Sequence, residues 1–196
     1  MTVIGTVGLP GSGKGEFATV AREAGVPVVT MGDVIREACR DRGLDPATHH
    51  GEVAKDLREE GGPGAIADRS LPLVEDALEG SEVVLVDGLR SPAEVDRFEA
   101  AFGEEFVLVS VEAPFELRRE RVESRGRDAD ADAGGETLRE RDERERGFGV
   151  DEVMARADVT VENTETLAAY RRRVREILRD AGADVPATGE IEEGAQ

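Results

Sequence analysis

Near its N-terminus the chain runs from an apolar stretch, "TVIGTVGL" (Thr2–Leu9), directly into "GLPGSGKGEF" (Gly8–Phe17). A short apolar run stopped by glycines reads as a strand buried on both faces, with a helix following from about Gly13 to Ala24. Gly8, Gly13 and Lys14 keep the G-x-x-x-x-G-K spacing of a phosphate-binding loop. Gly8, Gly11 and Gly13 allow the backbone to curl until successive N–H groups point at phosphate oxygens. The helix that follows offers its positive N-terminus to the same anion. Lys14 then reaches the outer phosphates as a point charge. The Ser or Thr that usually follows this lysine and helps hold Mg²⁺ is absent, and Gly15 and Glu16 stand next.

The rest of the chain repeats the strand–helix rhythm. Apolar runs at Val26–Met31, Ser81–Leu89, Glu104–Ala113 and Ala157–Asn163 predict four more strands. Helical patterns lie between them, over Gly32–Arg42, Gly51–Glu60, Pro63–Leu78, Pro92–Ala101, Pro114–Arg125 and Thr166–Ala181. Such alternation predicts an α/β fold with a five-stranded parallel sheet and helices on both faces. Ligands in these sheets sit beyond the carboxyl ends of the strands. The loop at Gly8 is at one such end and Asp87 at another. An acidic residue closing a buried strand has no core role, and Asp87 is the main candidate to hold a magnesium water shell.

The 196 residues suit one domain, taken here as residues 1–182. Residues 183–196 form an acidic tail of low apolar content, expected to be disordered. Forty-four acidic residues against 25 basic ones give a net charge of −19, which argues against a nucleic-acid partner. Dispersed carboxylates with scarce lysine also fit a protein adapted to a salt-rich, halophilic cytoplasm. Only Lys14 and Lys55 are lysines, so a lysine kept inside the loop is one needed as a lysine. Neither a leader segment nor a membrane-spanning run is evident, and the single cysteine, Cys39, reads as a small buried residue on a helix. The expected location is cytoplasmic.

"GLPGSGKG" resembles the loop of adenylate kinases, in which glycine also follows the lysine; Glu16 stands where those kinases carry threonine. The resemblance continues in order along the chain to about Ala181. It implies a P-loop NTPase three-layer fold with an acceptor-binding insert (about residues 32–78) and a short lid (about 126–148). It also implies ATP and Mg²⁺ as ligands and transfer of the γ-phosphoryl to a nucleotide-like small molecule. On this footing the donor nucleotide is bound by Gly8, Pro10, Gly11, Ser12, Gly13, Lys14, Gly15 and Glu16.

The remaining site residues follow from the same likeness. "TMGDVIRE" (Thr30–Glu37) is similar to the segment that grips the acceptor, with Gly32, Asp33 and Arg36 in its pattern. An arginine on an amphipathic helix is more often a solvated face, but the Gly32–Asp33 helix start just after the second strand favours the acceptor role. "LVDGLR" (Leu85–Arg90) resembles D-G-F-P-R shortened by one residue, with Arg90 as a phosphate ligand. Arg121 and Arg125 match a pair that stacks on adenine and contacts phosphate, whereas Arg118 and Arg119 are expected to face solvent or pair with acids. Arg141 and Arg144, in "RERDERERGFG" (Arg139–Gly149), are catalytic candidates, although such a charge run is also the mark of a solvated helix. Asn163, in "ADVTVENTETL", borders the adenine. His49 and His50 are assigned to a surface loop of the insert. For Glu16 a metal role and a dipole-complementing role both stand.

The likeness extends to dephospho-coenzyme A kinases and to an archaeal branch of adenylate-kinase-like proteins. A dephospho-coenzyme A-type metabolite kinase is therefore one alternative. A switch or assembly ATPase without a small-molecule acceptor is another. The oligomeric state is not readable from the sequence.

Overall fold

The computed structural model describes residues 1–124 and 137–185. Five strands form one sheet: β1 (Thr2–Val7), β2 (Val28–Thr30), β3 (Val83–Asp87), β4 (Phe106–Glu112) and β5 (Val159–Glu162). Their order is β2-β3-β1-β4-β5, and every pairing is parallel. Parallel neighbours require crossovers, and helices supply them on both faces. The α/β three-layer architecture expected from the sequence is the one observed.

Alternation along the strands sends side chains into two separate cores. Val3, Val7, Val84, Val86 and Leu108 face one cluster, while Ile4, Leu85, Val109 and Val161 face the other. The second cluster is closed by α1 (Lys14–Glu23) and α9 (Leu167–Asp180) through Phe17, Val20, Val174 and Leu178. The first is covered by α2 (Met31–Asp41), α3 (Pro46–Gly61), α4 (Ala65–Leu78), α5 (Pro92–Phe102) and the short α8 (Val150–Ala155). Cys39 is fully buried within α2. Two further helices, α6 (Phe115–Ser124) and α7 (Leu138–Gly147), follow β4.

Three features depart from the sequence reading. The insert's middle helix begins at Pro46, with the Asp45 side chain capping the Ala47 N–H at 2.9 Å. His49 and His50 are therefore in its first turns, not in a loop. The apolar periodicity begins only at Val53, so the pattern alone places the start too late. The charge run after Thr137 does form a helix, α7, opened by a capping box between Thr137 and Glu140. It is not simply a solvated one, because Asp142 and Glu145 are buried. Lastly, the acidic tail starts later than expected, since Val185 packs into the second core. The rest of that tail and residues 126–136 of the lid assignment lie outside the described residues.

Candidate active site

The loop between β1 and α1 is fixed by side chains that reach it from distant parts of the chain. Asn163, at the end of β5, donates Nδ2 to the Ser12 carbonyl at 2.8 Å, and the Tyr170 hydroxyl donates to the Gly13 carbonyl at 3.0 Å. Arg118 of α6 donates Nη1 to the Pro10 carbonyl at 2.9 Å. Arg121, one turn on, clamps Asn163 by donating Nη2 to its backbone carbonyl (2.9 Å) and to its Oδ1 (3.2 Å). Burial raises the Tyr170 phenol pKa, and Asp87 and Glu16 add to the rise, so the hydroxyl stays a donor.

Two glycines are sterically compulsory here. Gly8 has φ +153°, and a Cβ there would lie 2.3 Å from the Val111 carbonyl oxygen. Gly13 has φ +122°, and its Cβ would meet Asn163 Nδ2 at 2.3 Å. Gly15 differs: a Cβ would meet nothing within 4 Å. Gly13→Ala should therefore cost more than about 1 kcal/mol of stability, combining left-handed strain with the clash. Gly15→Ala should leave stability unchanged or improve it by up to about 1 kcal/mol. Urea melts of the two variants check this contrast.

The loop borders a cavity of about 290 Å³ that also takes in Asp87, Arg121 and Arg141. Asp87 ends β3 opposite Thr6 of β1, whose hydroxyl donates to Oδ1 at 2.7 Å and so orients the carboxylate. Lys14 turns back over the loop and donates to the Gly8 and Leu9 carbonyls. Burial lowers its pKa, opposed chiefly by the charge of Asp87. Among the described residues, buried Ser12 Oγ, in the middle of the loop, has no hydrogen-bond partner. Buried polar atoms in folded proteins are nearly always satisfied, so this one suits an oxygen-rich ligand. The open space at Gly15 leaves room for that ligand beside the helix N-terminus. The residues present therefore fit a nucleotide polyphosphate.

Glu16 points elsewhere. Its Oε1 accepts from Arg171 Nε of α9 at 2.5 Å, and the same guanidinium reaches Glu23 at 3.0 Å.

A second cavity, about 370 Å³, opens on the other side of the β3 terminus. Gly88, Arg90 and Arg144 line it from one side, and Gly32, His50 and Arg58 from the insert. Arg36 lies outside that lining. Asp33 holds it, accepting from Nε at 2.9 Å and from Nη2 at 2.6 Å. Buried Glu94 also faces the cavity; its Oε2 accepts the backbone N–H groups of Arg90 (2.8 Å) and Ser91 (3.3 Å). Burial raises the Glu94 pKa against the pull of these N–H groups and of Arg58. A raised acid pKa gives stability that is complete below the ordinary glutamate range and is lost as pH rises through the lifted value. Wild-type stability measured against Glu94→Gln should therefore fall as pH rises from the ordinary glutamate range through that lifted value. Burial lowers the His50 pKa and so favours the neutral ring; a hydrogen bond with the Gly32 backbone opposes this, and Arg36, Arg90 and Arg58 add to it.

Helix α7 spans the two cavities, with Arg141 on the first and Arg144 on the second. It is held by buried acids. Asp142 receives both ends of the Arg118 fork, at 2.8 and 2.7 Å, with the two side chains 4% and 5% exposed. Glu145 bridges Arg90 at 3.0 Å and Arg144 at 3.3 Å. Arg118 thus pairs with an acid, as one of its two expected roles had it, but as a buried link and not at the surface, whereas Arg119 pairs at the surface with Glu116 and Glu123.

The fold brings Pro10, Gly11, Lys14, Asp87, Arg121 and Arg141 around one cavity, and Gly32, Arg90 and Arg144 around the other. Asn163 braces the loop from beneath, and Asp33 and Arg36 pair with each other outside the second cavity. Arg125 lies outside the described residues. Sequence reasoning missed Arg58, Glu94, Asp142, Glu145 and the position of His50. The capping-box pattern Ser91-x-x-Glu94 was the one local signal among these, and it marks a helix start without announcing a cavity.

A family model described as an AAA domain matches residues 7–139. A UPF0200 protein of Halobacterium salinarum is 58% identical over 188 residues, covering 96% of each chain. A UPF0200 protein of Methanosarcina mazei is 45% identical, covering 91% of this chain and 94% of its own. A UPF0200/UPF0201 protein of Archaeoglobus fulgidus is 49% identical over 91% of this chain but only 55% of its own length. Among solved structures, TT1252 from Thermus thermophilus superposes with a TM-score of 0.63 at 22% identity, covering 91% of this chain and 97% of that one. Shikimate kinase from Acinetobacter baumannii, in complex with shikimate, gives 0.54 at 18%, with coverages of 91% and 92%. At these identities the structural likeness speaks for the fold. The relatives, the family model and the loop geometry agree: this chain belongs to the UPF0200 family and has a kinase-like P-loop fold.

Proposed function

We propose that the protein is an ATP-dependent phosphotransferase with a small-molecule acceptor. The observation that carries this reading is the meeting of two cavities at Asp87 and Gly88. An ATPase switch needs the first cavity alone, whereas a kinase needs a second, cation-lined one beside it. In this reading the γ-phosphorus–oxygen bond of ATP breaks, ADP leaves, and an acceptor oxygen forms the new bond. A hydroxyl acceptor releases its proton, and a phosphate acceptor has none to lose. Catalysis is positioning plus charge stabilisation by Lys14, Arg121, Arg141 and Arg144, with Arg125 retained as a proposal from the sequence.

Magnesium, when bound, would neutralise charge between the outer phosphates, and Asp87 is the residue that would hold it. Glu16 was the second candidate for that metal. Its ion pair with Arg171 supports a structural role instead. Glu16→Gln should then cost only about 0.2–1 kcal/mol and leave the magnesium dependence of turnover unchanged. A magnesium titration shifted to higher concentration in the variant would return Glu16 to the metal site.

The composition and the Halobacterium relative support a halophilic setting, so assays belong in concentrated KCl. The shikimate kinase likeness favours a small acceptor class without naming it. ATP consumption measured with and without nucleoside monophosphates, hydroxy acids and phosphomonoesters tests the reading. Acceptor-dependent turnover with a phosphorylated product is the expected result. Hydrolysis indifferent to every acceptor would favour the switch.

A further inference from the structure

The second cavity is chemically mixed. Met31, Ile35, Ala54 and Ile66 supply apolar lining, and Arg58, Arg90 and Arg144 supply guanidinium groups. Arg58, on α3, is placed there by three neighbours. Its Nη1 donates to the Ala54 carbonyl at 3.3 Å, its charge is 5.0 Å from the centre of the Phe148 ring, and Nη2 lies 3.5 Å from Glu94 Oε1. That last distance attracts Arg58 without consuming its donors, because a guanidinium carries five. Arg90 faces the same space, oriented by Glu145 at 3.0 Å.

Charge accounting agrees with an anionic ligand. Three guanidiniums (Arg58, Arg90, Arg144) stand against two carboxylates (Glu94, Glu145), which leaves an excess of positive charge. The buried carboxylates act as braces: each holds an arginine in place and thereby lowers the ordering cost of binding. Arg36, by contrast, is chelated by Asp33 and 41% exposed.

We infer that Arg58 and Arg90, braced by Glu94 and Glu145, form an oxyanion-binding site in the second cavity, so that the acceptor carries a phosphate or carboxylate group on a compact apolar body. This rests on the phosphotransferase reading for the word acceptor. The site's affinity for an oxyanion does not depend on it. A forked guanidinium pair binds either anion through charge-assisted, bidentate hydrogen bonds. Arg58 is the specificity-determining residue of the pair, because the insert helix alone supplies it.

The test loads the full-length protein with Mg²⁺ and a non-hydrolysable ATP analogue, which occupies the loop. Inorganic phosphate and malonate are then titrated separately at constant ionic strength, followed by calorimetry and melting temperature. One or both anions should bind the wild type, and the anion that binds assigns the acceptor's group. Arg58→Met should weaken that binding at least about tenfold, as expected for loss of a charged hydrogen-bonding partner. Arg58→Lys, which keeps the charge without the fork, should fall between. Arg156→Met, on a surface ion pair with Asp96 and Glu99, should bind as wild type. Arg58→Met/Glu94→Gln removes the stranded carboxylate and serves if the single variant folds poorly.

Failure of both anions to bind the wild type, unchanged binding in the Arg58 variants, or loss confined to Arg36→Ala would each overturn the inference. If anions bind through Arg58 and no acceptor is ever phosphorylated, the oxyanion site stands and the kinase reading falls. If an acceptor is phosphorylated and its KM ignores Arg58, the kinase reading stands and this assignment falls.

Discussion

Lys14→Ala should lower ATP turnover by about two orders of magnitude or more while leaving the protein folded. One preorganised charge aimed at developing negative charge is typically worth about 10²–10³ in rate. Lys14 is one of two lysines in the chain, and its ammonium already hangs over the loop on the Gly8 and Leu9 carbonyls. Moving from those carbonyls to a phosphate costs little reorganisation. Burial depresses its pKa in the unliganded site, so the charged form is held less tightly there than it would be beside a polyphosphate. Removing it should therefore cost catalysis more than stability. Turnover and thermal melting measured on the same preparation separate the two, and wild-type turnover in the variant would sink the loop assignment.

Arg118→Met should be the most destabilising of the substitutions considered, at about 3–5 kcal/mol. That is the usual cost of stranding one member of a buried ion pair. Arg118 gives both fork nitrogens to Asp142, one of them also to the Pro10 carbonyl, and Nε to the Ala113 carbonyl at 3.1 Å. The substitution leaves a buried carboxylate and two backbone acceptors unmatched. Arg118→Met/Asp142→Leu should recover much of the loss, because it removes the stranded charge as well. Concentrated KCl should not rescue the single variant, since salt screens buried pairs far less than surface pairs such as Arg119–Glu116. Urea denaturation at low and high KCl measures both effects. A loss below about 1 kcal/mol would mean that α7 is not anchored through this pair.

The elements that sequence reasoning located share one property: their signal is local. The five strands are short apolar runs, and burial on both faces of a parallel sheet needs little else to be legible. Gly8 and Gly13 are equally local, because backbone curvature at a strand–helix junction demands them. Helix α7 was harder to read. It carries a single large apolar residue, Leu138, so no hydrophobic period marks it, and ionic contacts from α6 and from the β3 terminus hold it in place. His50 and Arg58 were invisible as site residues for a related reason. Each is an ordinary polar position on a helix until α3 folds over the end of β3.

The sequence by itself determined the strand–loop–helix unit, the parallel sheet and the glycine-rich loop with its lysine. These follow from apolar runs, glycine geometry and helix N-terminal charge, which act over a few residues. Only the tertiary structure decided which charges work and which are committed elsewhere. It joined Glu16 to Arg171 and Arg118 to Asp142, and it brought Arg58 and Arg90 to one cavity. The physical reason is that an arginine's role is set by the nearest carboxylate and by its exposure to water. In a chain with 44 acids, the packing of distant helices decides which carboxylate that is.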